Sequence, residues 1–498
     1  MSKDFLQELN SFMQQKGFVW GPEPEIYGGS SGLYSYGPLG KLLKNNVEDA
    51  IREVLTKEEF FEVEFPTLMP KEVWEASGHL DGFTDPMVEC GKCGSEYKAE
   101  QILEEAFPDK EVKDYKKFFN DNEIKCPSCG TRFDSDIKNH NLMMKTVVGK
   151  DTEAFCRPET ATTTYLQFQR YYEFFRKKLP FGVFQIGSAF RNEISPRQHL
   201  LRTREFTQAE SQLFIFEHQK DAYEPFETVK KEKIPFWPWN SQKKGKDPEF
   251  ISLEKAIKDK LLKNKAYAHM IFLAYKVFKE LGVPDNRIRL NQHSPDEMAF
   301  YADDAWDVEV NLNSFGWTEV CGVHDRTDYD LKQHAKFSGQ KMEVLDDNHD
   351  KKVPHILEIA FGTGRMTYAL LDLNYDHKQE EKGKTILHLP VNMAPQKVAV
   401  FPLLRKEPLK NLAKKVYEDL KGEFNCKYDE TASIGKRYLR ASEEGIPYAV
   451  TIDFDSLEDD AVTIRDRDTE EQKRVKISDL KKIVEGLVSG DKSFSDIK

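Results

Sequence analysis

The sequence predicts two folded units: a large α+β domain with an antiparallel sheet, followed by a smaller mixed α/β domain. Residues 146–216 show a helical stretch and then two long runs of strand-like alternation. Residues 90–140 form a charged insert with paired cysteines, and near the C-terminal end strands alternate with helices. We therefore expect the larger domain over 1–89 and 141–380 and the smaller one over 386–498.

The composition is that of a water-soluble protein with a substantial core. Of the 498 residues, 39% are hydrophobic, and the net charge of −12 gives the chain no overall attraction to nucleic acid. Any polyanion would therefore have to meet local basic patches. We find no apolar run near the roughly 20 residues that span a bilayer, and the charged start MSKDFLQELNSFM is unlike a secretory signal. Seven cysteines, an odd number, favour a reducing cytoplasm.

The opening segment of the large domain, to about Met69, contains an amphipathic helix from about Lys41 to Thr56, followed by a strand, FFEVEF, that ends at Pro66. Taken alone, the two predict a helix and an edge strand on a core. The lysine-rich stretch 217–265 is broken by proline and tryptophan, which predicts an insertion or an accessory subdomain. A polar stretch near 378–386 is typical of a linker.

Two long strands carry the first candidate site. In VFQIGSAFRNE, alternation places five residues on one face: Gln185, Gly187, Ala189, Arg191 and Glu193. In the returning strand, REFTQAESQLFIF, a polar face carries Phe206, Gln208, Glu210 and Gln212. A solvent-exposed face gives the same alternation, so the pattern alone does not establish a site.

The loop between these strands adds cations over the same face, namely Arg197, His199 and Arg202. A guanidinium presents a planar fork of donors that suits phosphate oxygens. With Phe206 available for stacking, the cluster favours a nucleoside triphosphate, while the glutamates of the strands suit a cation or an amine. We therefore predict a site that holds both a phosphate chain and an amine.

A second stretch, HILEIAFGTGRMTYALL, predicts a strand that leads into a helix beginning near Arg365. Gly362 and Gly364 permit close backbone approach at the junction. An ordinary helix-entry turn has the same sequence features. The stretch lacks the residues of a Walker A loop and of a dinucleotide-binding fingerprint.

Two CxxC pairs suit a structural metal site. Cys90 and Cys93 form the first pair and Cys126 and Cys129 the second, and a glycine follows each pair. Four thiolates in this arrangement favour a tetrahedral Zn²⁺ in a zinc-ribbon-like insert. Free or redox-active thiols are the alternative.

The smaller domain has a basic cluster that contains an aromatic residue. Its members are Lys436, Arg437, Tyr438, Arg440, Arg465 and Arg467. Cations beside an aromatic ring suit single-stranded nucleic-acid bases, although a solvated charged surface has the same composition.

Taken together, these stretches resemble the three sequence motifs of the class II aminoacyl-tRNA synthetases. The helix with the strand ending at Pro66 matches the first, FRNE with Arg202-xxx-Phe206 the second, and GTGR the third. The phrases SSGLYSYGPLGKLLKNNV, WDVEVNLNSFGWTEVCGVHDRTDYDL and GKRYLRASEEGIPYAVTIDFDSLEDDAVTIRDRD are similar to the glycyl-tRNA synthetases of the homodimeric type. The resemblance implies the class II synthetase fold, an anticodon-binding C-terminal domain and a homodimer that acts on glycine, ATP and tRNA(Gly).

The resemblance also implies roles for matching positions. Arg191 would contact the α-phosphate of ATP, Arg365 the γ-phosphate, Phe206 the adenine and Glu319 a Mg²⁺ ion. Further ATP-site positions are Glu193, Arg202, Gly362 and Gly364, with Arg191, Glu193 and Arg365 as the catalytic set. Glu159, Glu210 and Glu358 would hold the ammonium of glycine.

Two segments depart from the family pattern. Where the family has EPSFG or similar this chain has EIAFG, with Ala360, and where it has RPETAQG this chain has RPETATTTY. We hypothesise that Thr162, Thr163 or another donor replaces the missing serine hydroxyl. Other interpretations are a sister synthetase for alanine or serine and a catalytically silent RNA-binding paralogue; diadenosine polyphosphate synthesis would be a side activity of the same chemistry.

Overall fold

The structure is a computed structural model that describes residues 3–107, 112, 114–133, 136–194, 196, 198–295, 298, 302–376 and 384–497. Arg197 and most of the stretch expected as a linker lie outside these residues. None of the helices within the described ranges is both long enough and apolar enough to cross a membrane.

The large domain is built on a nine-stranded, mainly antiparallel sheet, which confirms the predicted fold class. In chain order its strands are β1 (Phe61–Glu62), β2 (Phe181–Phe190), β3 (Glu205–Ile215), β4 (Lys233–Trp237), β5 (Glu249–Ser252), β6 (Ile288–Gln292), β7 (Asp304–Leu312), β8 (Gly316–Asp325) and β9 (His355–Gly362). They lie in the order β5-β4-β6-β7-β8-β9-β3-β2-β1, in which β1 with β2 and β4 with β6 are parallel.

Four helices pack against this sheet and share its hydrophobic core: α1 (Lys3–Gln15), α2 (Pro38–Lys57), α3 (Lys265–Glu280) and α4 (Thr363–Asn374). The helix predicted from about Lys41 starts earlier, at Pro38, because proline is well suited to the first turn of a helix. Its apolar stripe, including Leu43, Val47 and Ile51, is fully buried.

Helix α2 also makes polar contacts with two other parts of the protein. The ammonium of Lys44 lies 2.8 Å from Glu48 and donates to the Thr207 hydroxyl on β3 at 2.8 Å. The Asn46 side chain donates to the carbonyl of Met393, in the segment that leads to the C-terminal domain, at 2.9 Å. The helix is therefore fixed both to the sheet and to the domain junction.

The strand expected up to Pro66 is much shorter than predicted. Strand β1 covers two residues, and one more backbone bond joins Val63 to Phe184. Beyond this strand, the backbone carbonyls accept hydrogen bonds from Arg157. Its guanidinium donates to the Phe65 carbonyl and its backbone amide to the Thr67 carbonyl. The chain then continues into a separate three-stranded sheet of Leu68–Pro70, Thr152–Cys156 and Met144–Val148.

The cysteine-rich insert contains a three-stranded sheet of Thr84–Glu89, Glu96–Lys98 and Ile137–Asn141 and the helices Ala99–Ala106 and Tyr115–Asp121. It has its own small core around Val88, Tyr97, Phe119 and Phe133.

The stretch 217–265 continues the main sheet, since β4 and β5 form its edge beside β6. A buried ion pair ties the start of this stretch to the sheet: Lys220 lies 2.7 Å from Asp325 at the end of β8.

The C-terminal domain has a five-stranded mixed sheet with its own core, as predicted. Its strands are β10 (Val398–Pro402), β11 (Cys426–Tyr428), β12 (Tyr448–Ile452), β13 (Ala461–Asp466) and β14 (Gln472–Lys476), in the order β11-β10-β12-β13-β14. The long helices of this domain are α5 (Glu407–Leu420), α6 (Ile434–Glu443) and α7 (Ile477–Ser489), and a single helical turn covers Ser456–Asp459.

Candidate active site

A cleft of 690 Å³ opens over the sheet where β3, β9 and β8 lie side by side. The antiparallel register places Glu210 opposite Ala360, and Ala360 opposite Gly322. The ATP- and glycine-binding residues that the resemblance implies line this cleft: Glu159, Arg191, Glu193, Arg202, Phe206, Glu210, Glu319, Glu358, Gly362, Gly364 and Arg365. His199, expected over the same face, does not line the cleft; its ring packs on Tyr34, with 4.5 Å between the ring centroids.

Arg191 occupies a position between two aromatic rings. Its guanidinium carbon lies 5.3 Å from the Phe206 ring and 5.3 Å from the Phe83 ring, and its Nε donates to the Pro158 carbonyl at 3.2 Å. Burial lowers the pKa of Arg191 from its usual value. Contacts within the protein therefore fix the direction of the guanidinium.

The strand that was expected to include Arg191 and Glu193 ends at Phe190. The amide of Glu193 instead bonds to the carbonyl of Arg191 at 2.7 Å, which turns the backbone away from the sheet. The predicted strand is therefore three residues too long, although both side chains line the cleft as the alternation indicated.

Arg365 lies at the other side of the cleft, beside Glu319. Its Nε donates to the Leu201 carbonyl at 3.1 Å, and its Nη1 lies 3.2 Å from the Glu319 carboxylate. The positive charge of Arg365 lowers the pKa of Glu319. Helix α4 begins at Thr363, so Gly364 lies in its first turn, where an added Cβ would come within 2.8 Å of the Tyr36 hydroxyl.

Three carboxylates form the base of the cleft, and each accepts hydrogen bonds from a different neighbouring residue. Glu210 accepts from the Thr160 amide at 2.7 Å and from the Thr160 hydroxyl at 2.5 Å. Glu358 accepts from the Tyr165 hydroxyl at 2.5 Å, and Glu159 from Thr162 at 2.6 Å.

The three carboxylates differ in their protonation. Burial raises the pKa of Glu159, but His79, 3.6 Å away, and Arg326 outweigh it, so that the net pKa is lowered. The pKa of Glu358 is lowered for the same reason, by Arg326 at 3.3 Å and by His324 against its burial. Burial and the two neighbouring carboxylates raise the pKa of Glu210 to about 8. One proton is therefore held at Glu210 near neutral pH.

The threonines after Glu159 have defined partners. Thr163 donates to the Thr160 carbonyl at 2.8 Å and lies 3.0 Å from the Gln185 amide, beneath the base of the cleft. Thr162 instead bonds to Glu159 itself. Of the two candidates for the missing serine hydroxyl, Thr162 is thus the one in contact with a residue that lines the cleft.

Sequence reasoning did not identify the cation beneath these acids. Arg326 donates twice to Asp330, at 2.8 and 2.9 Å, and once to Glu358. Arg326 lies outside the helix Tyr329–Ser338 that carries Asp330, so helical periodicity in HDRTDYDL gives no signal for this pair.

The four predicted metal ligands lie together. The sulfur atoms of Cys90, Cys93, Cys126 and Cys129 lie within 4.8 Å of one another, with Cys90 to Cys129 at 3.5 Å and Cys93 to Cys126 at 3.7 Å. Zinc–sulfur bonds of about 2.3 Å place tetrahedral ligands roughly 3.8 Å apart. In both pairs the amide of the following glycine bonds to the carbonyl of the first cysteine at 2.8 Å, so the two turns have the same geometry.

The basic cluster of the C-terminal domain divides into two groups. Lys436 is exposed, the Arg465 guanidinium lies 4.6 Å from the Tyr438 ring, and Arg440 pairs with Asp429 at 2.7 Å. These four residues lie at or near the surface, on α6 and β13.

Arg437 and Arg467 are placed differently from the prediction. Arg437 is 2% exposed and donates to the carbonyls of Pro402 and Ala432. Arg467 is also buried and donates to Gly445 and Leu389 at 2.9 Å each. Both guanidinium groups satisfy backbone carbonyls inside the fold, so we do not assign them to RNA contacts.

Comparison with known proteins agrees with this architecture. Residues 146–237 match the tRNA synthetase class II core domain (G, H, P, S and T), and residues 397–487 match the anticodon binding domain. A prolyl-tRNA synthetase structure from Cryptosporidium parvum superimposes with a TM-score of 0.61 at 15% identity, covering 98% of this chain and 78% of that one. The fold is that of a class II aminoacyl-tRNA synthetase.

Curated relatives define the family more narrowly. The glycine–tRNA ligase of Pyrococcus horikoshii is 38% identical, with 98% of this chain and 99% of that protein aligned. The enzyme of Methanocaldococcus jannaschii is 36% identical over 96% and 98% of the two chains. The chain belongs to the glycine–tRNA ligase family.

The division of the basic cluster leads to a stability prediction. Replacing Arg437 with methionine leaves the carbonyls of Pro402 and Ala432 without their donor, so we expect a loss of about 1–3 kcal/mol per unsatisfied group. Urea unfolding of the full chain, followed by circular dichroism, measures it. Lys436→Met on the same helix is the matched control and should leave the midpoint unchanged; an equal loss in both variants would contradict the assignment.

Proposed function

We propose that this protein activates glycine with ATP, forming glycyl-adenylate and pyrophosphate, and then transfers glycine to the 3′ end of tRNA(Gly). The observation that carries the proposal is the polarity of the cleft. Arginines and an aromatic ring lie along its sides, and three carboxylates lie at its base. Such a site takes a polyphosphate and an amine together, which are the two charged ends of the proposed substrates.

In this mechanism the carboxylate of glycine attacks the α-phosphate of ATP, and pyrophosphate leaves. No proton has to be removed, because the attacking carboxylate is already ionised at neutral pH. The site therefore acts by placement and by stabilising charge. Arg191, fixed between Phe83 and Phe206, would bind the α-phosphate, and Arg365 would bind the γ-phosphate.

Glu319 would hold Mg²⁺. Its side chain is 54% exposed at the cleft, and Arg365 favours its ionised form. The ion would neutralise phosphate charge as pyrophosphate departs.

Amino-acid-dependent exchange of pyrophosphate into ATP, measured with each of the twenty amino acids, tests the proposal. We expect exchange with glycine. Exchange with alanine or serine in its place would favour a sister synthetase, and exchange with none would favour a silent RNA-binding paralogue.

For the C-terminal domain, we propose that the anticodon contacts are Lys436, Tyr438, Arg440 and Arg465.

The same assay gives a pH prediction for glycine binding. Glu210, with a pKa of about 8, must lose its proton to bind the glycine ammonium. The affinity for glycine should therefore increase as the pH rises. The ionised fraction grows about fivefold between pH 7 and 8 and about twofold more to pH 9. We expect KM for glycine to fall by similar factors and to level off only above about pH 9.

Two variants check this assignment. Glu210→Gln should raise KM for glycine and abolish its pH dependence. The exposed Glu217→Gln, outside the cleft, is the matched control and should behave as the unmodified protein does. A KM for glycine that is independent of pH in the unmodified protein would rule out the assignment.

We further propose that the four-cysteine cluster binds one Zn²⁺ per chain. A fully thiolate-coordinated ion leaves no open position, so its role would be to stabilise the insert. We expect Cys129→Ser to lose zinc and to lower the thermal midpoint, measured by atomic absorption and differential scanning calorimetry. Cys156, outside the cluster, is the control position; retention of zinc in Cys129→Ser would contradict the proposal.

The last element of the proposal is a homodimer formed through α2 and β1. Phe61 is 47% exposed and Phe174 is 66% exposed, and the two rings contact each other beside β1. Large apolar side chains grouped on a surface mark an interaction site. We expect a dimer in sedimentation equilibrium and dissociation in Phe61→Glu/Phe174→Glu, whereas Phe454→Glu, equally exposed on the C-terminal domain, should remain dimeric.

A further inference from the structure

The cysteine-rich insert meets the cleft through one buried lysine. Lys98 ends the strand Glu96–Lys98, and it is 7% exposed. Its ammonium lies 3.0 Å from Glu193 and also contacts Asp85, on the neighbouring strand of the insert. The ammonium is buried between two carboxylates, one of which lines the cleft. Unlike loss of a surface ion pair, loss of this lysine would leave uncompensated buried charge.

Other contacts join the base of the insert to the same segment. The ring of His140 lies 3.0 Å from the Asn192 carbonyl, and the Asn192 amide donates to the Leu142 carbonyl at 2.8 Å. Phe83, just before the insert, contacts the guanidinium of Arg191. Residues 191–193, which turn away from the sheet, are thus held from outside by the insert.

One oxygen of Glu193 lies between two cations. Its Oε2 is 3.0 Å from the Lys98 ammonium and 3.9 Å from Nε of Arg202. Lys98 is the nearer and the more buried of the two, with a side chain 8% exposed against 29% for Arg202. Without Lys98, Arg202 would be the nearest cation left to neutralise Glu193, and the attraction would draw it away from the phosphate side of the cleft.

We propose that Lys98 is a positioning residue for ATP: it holds Glu193 against the insert and so leaves Arg202 free to meet the triphosphate. The proposal rests on the glycine-activating function put forward above. It predicts a selective effect, because the glycine pocket lies at the base of the cleft, among residues that Lys98 does not contact. KM for ATP should change while KM for glycine does not.

The test compares full-length variants in glycine-dependent exchange. We expect Lys98→Met to raise KM for ATP about tenfold, which is less than the roughly hundredfold cost of displacing a reacting group. Lys98→Arg should restore part of the loss. Lys138→Met, at a lysine of the same insert that is 73% exposed, is the matched control and should leave KM for ATP unchanged.

A second variant covers the case in which Lys98→Met fails to fold. Without Lys98, the carboxylates of Asp85 and Glu193 would face each other unpaired. The double variant Asp85→Asn/Lys98→Met removes one of these two charges, and Glu193 still loses its ion pair with the lysine. Zinc content and thermal midpoint identify the folded preparations. Unchanged KM for ATP in this folded variant, or an equal rise of both KM values, would overturn the proposal.

Calorimetric titration with ATP separates this inference from the proposed function. If the unmodified protein gave no exchange with glycine, the proposed function would fail. The calorimetric comparison would still decide the role of Lys98, since it requires binding alone. Weaker ATP binding in the Lys98 variants than in Lys138→Met supports the role, and equal binding overturns it.

Discussion

Three carboxylates buried side by side at the base of one cleft are the constraint that the surrounding structure has to satisfy. Like charges out of water are costly unless cations and hydrogen-bond donors meet them. Arg326, itself anchored by Asp330, supplies charge from below, and Thr160 and Tyr165 supply donors. Burial and the two neighbouring carboxylates raise the pKa of Glu210, and its protonated form lowers the remaining repulsion; in the proposed function the glycine ammonium would take the place of that proton.

The antiparallel register explains why distant sequence segments could be assigned to one site. Glu210, Ala360 and Gly322 come from three strands far apart in the chain, and they are neighbours because those strands pair directly. Period-two alternation located Glu210 correctly. It carried the strand too far, to Glu193, since no periodicity signals that a strand ends and the backbone turns after Phe190.

Charge patterns were the least reliable guide, because sequence does not show burial. In the C-terminal domain Arg437 and Lys436 are adjacent on α6, yet one is enclosed against backbone carbonyls and the other faces water. Lys98 has no motif at all, and only tertiary structure brings it to Glu193. By contrast, the cysteine pairs were predictable, since ligand spacing within each pair is a local property.

Helix α2 contacts three regions that have separate roles in the proposed function. Its side chains touch the cleft strand through Lys44 and the domain junction through Asn46, and its flank adjoins the surface proposed for dimer contact. One helix therefore supports the cleft strand, the surface proposed for dimer contact and the segment before the C-terminal domain, so a substitution that shifted α2 would affect all three.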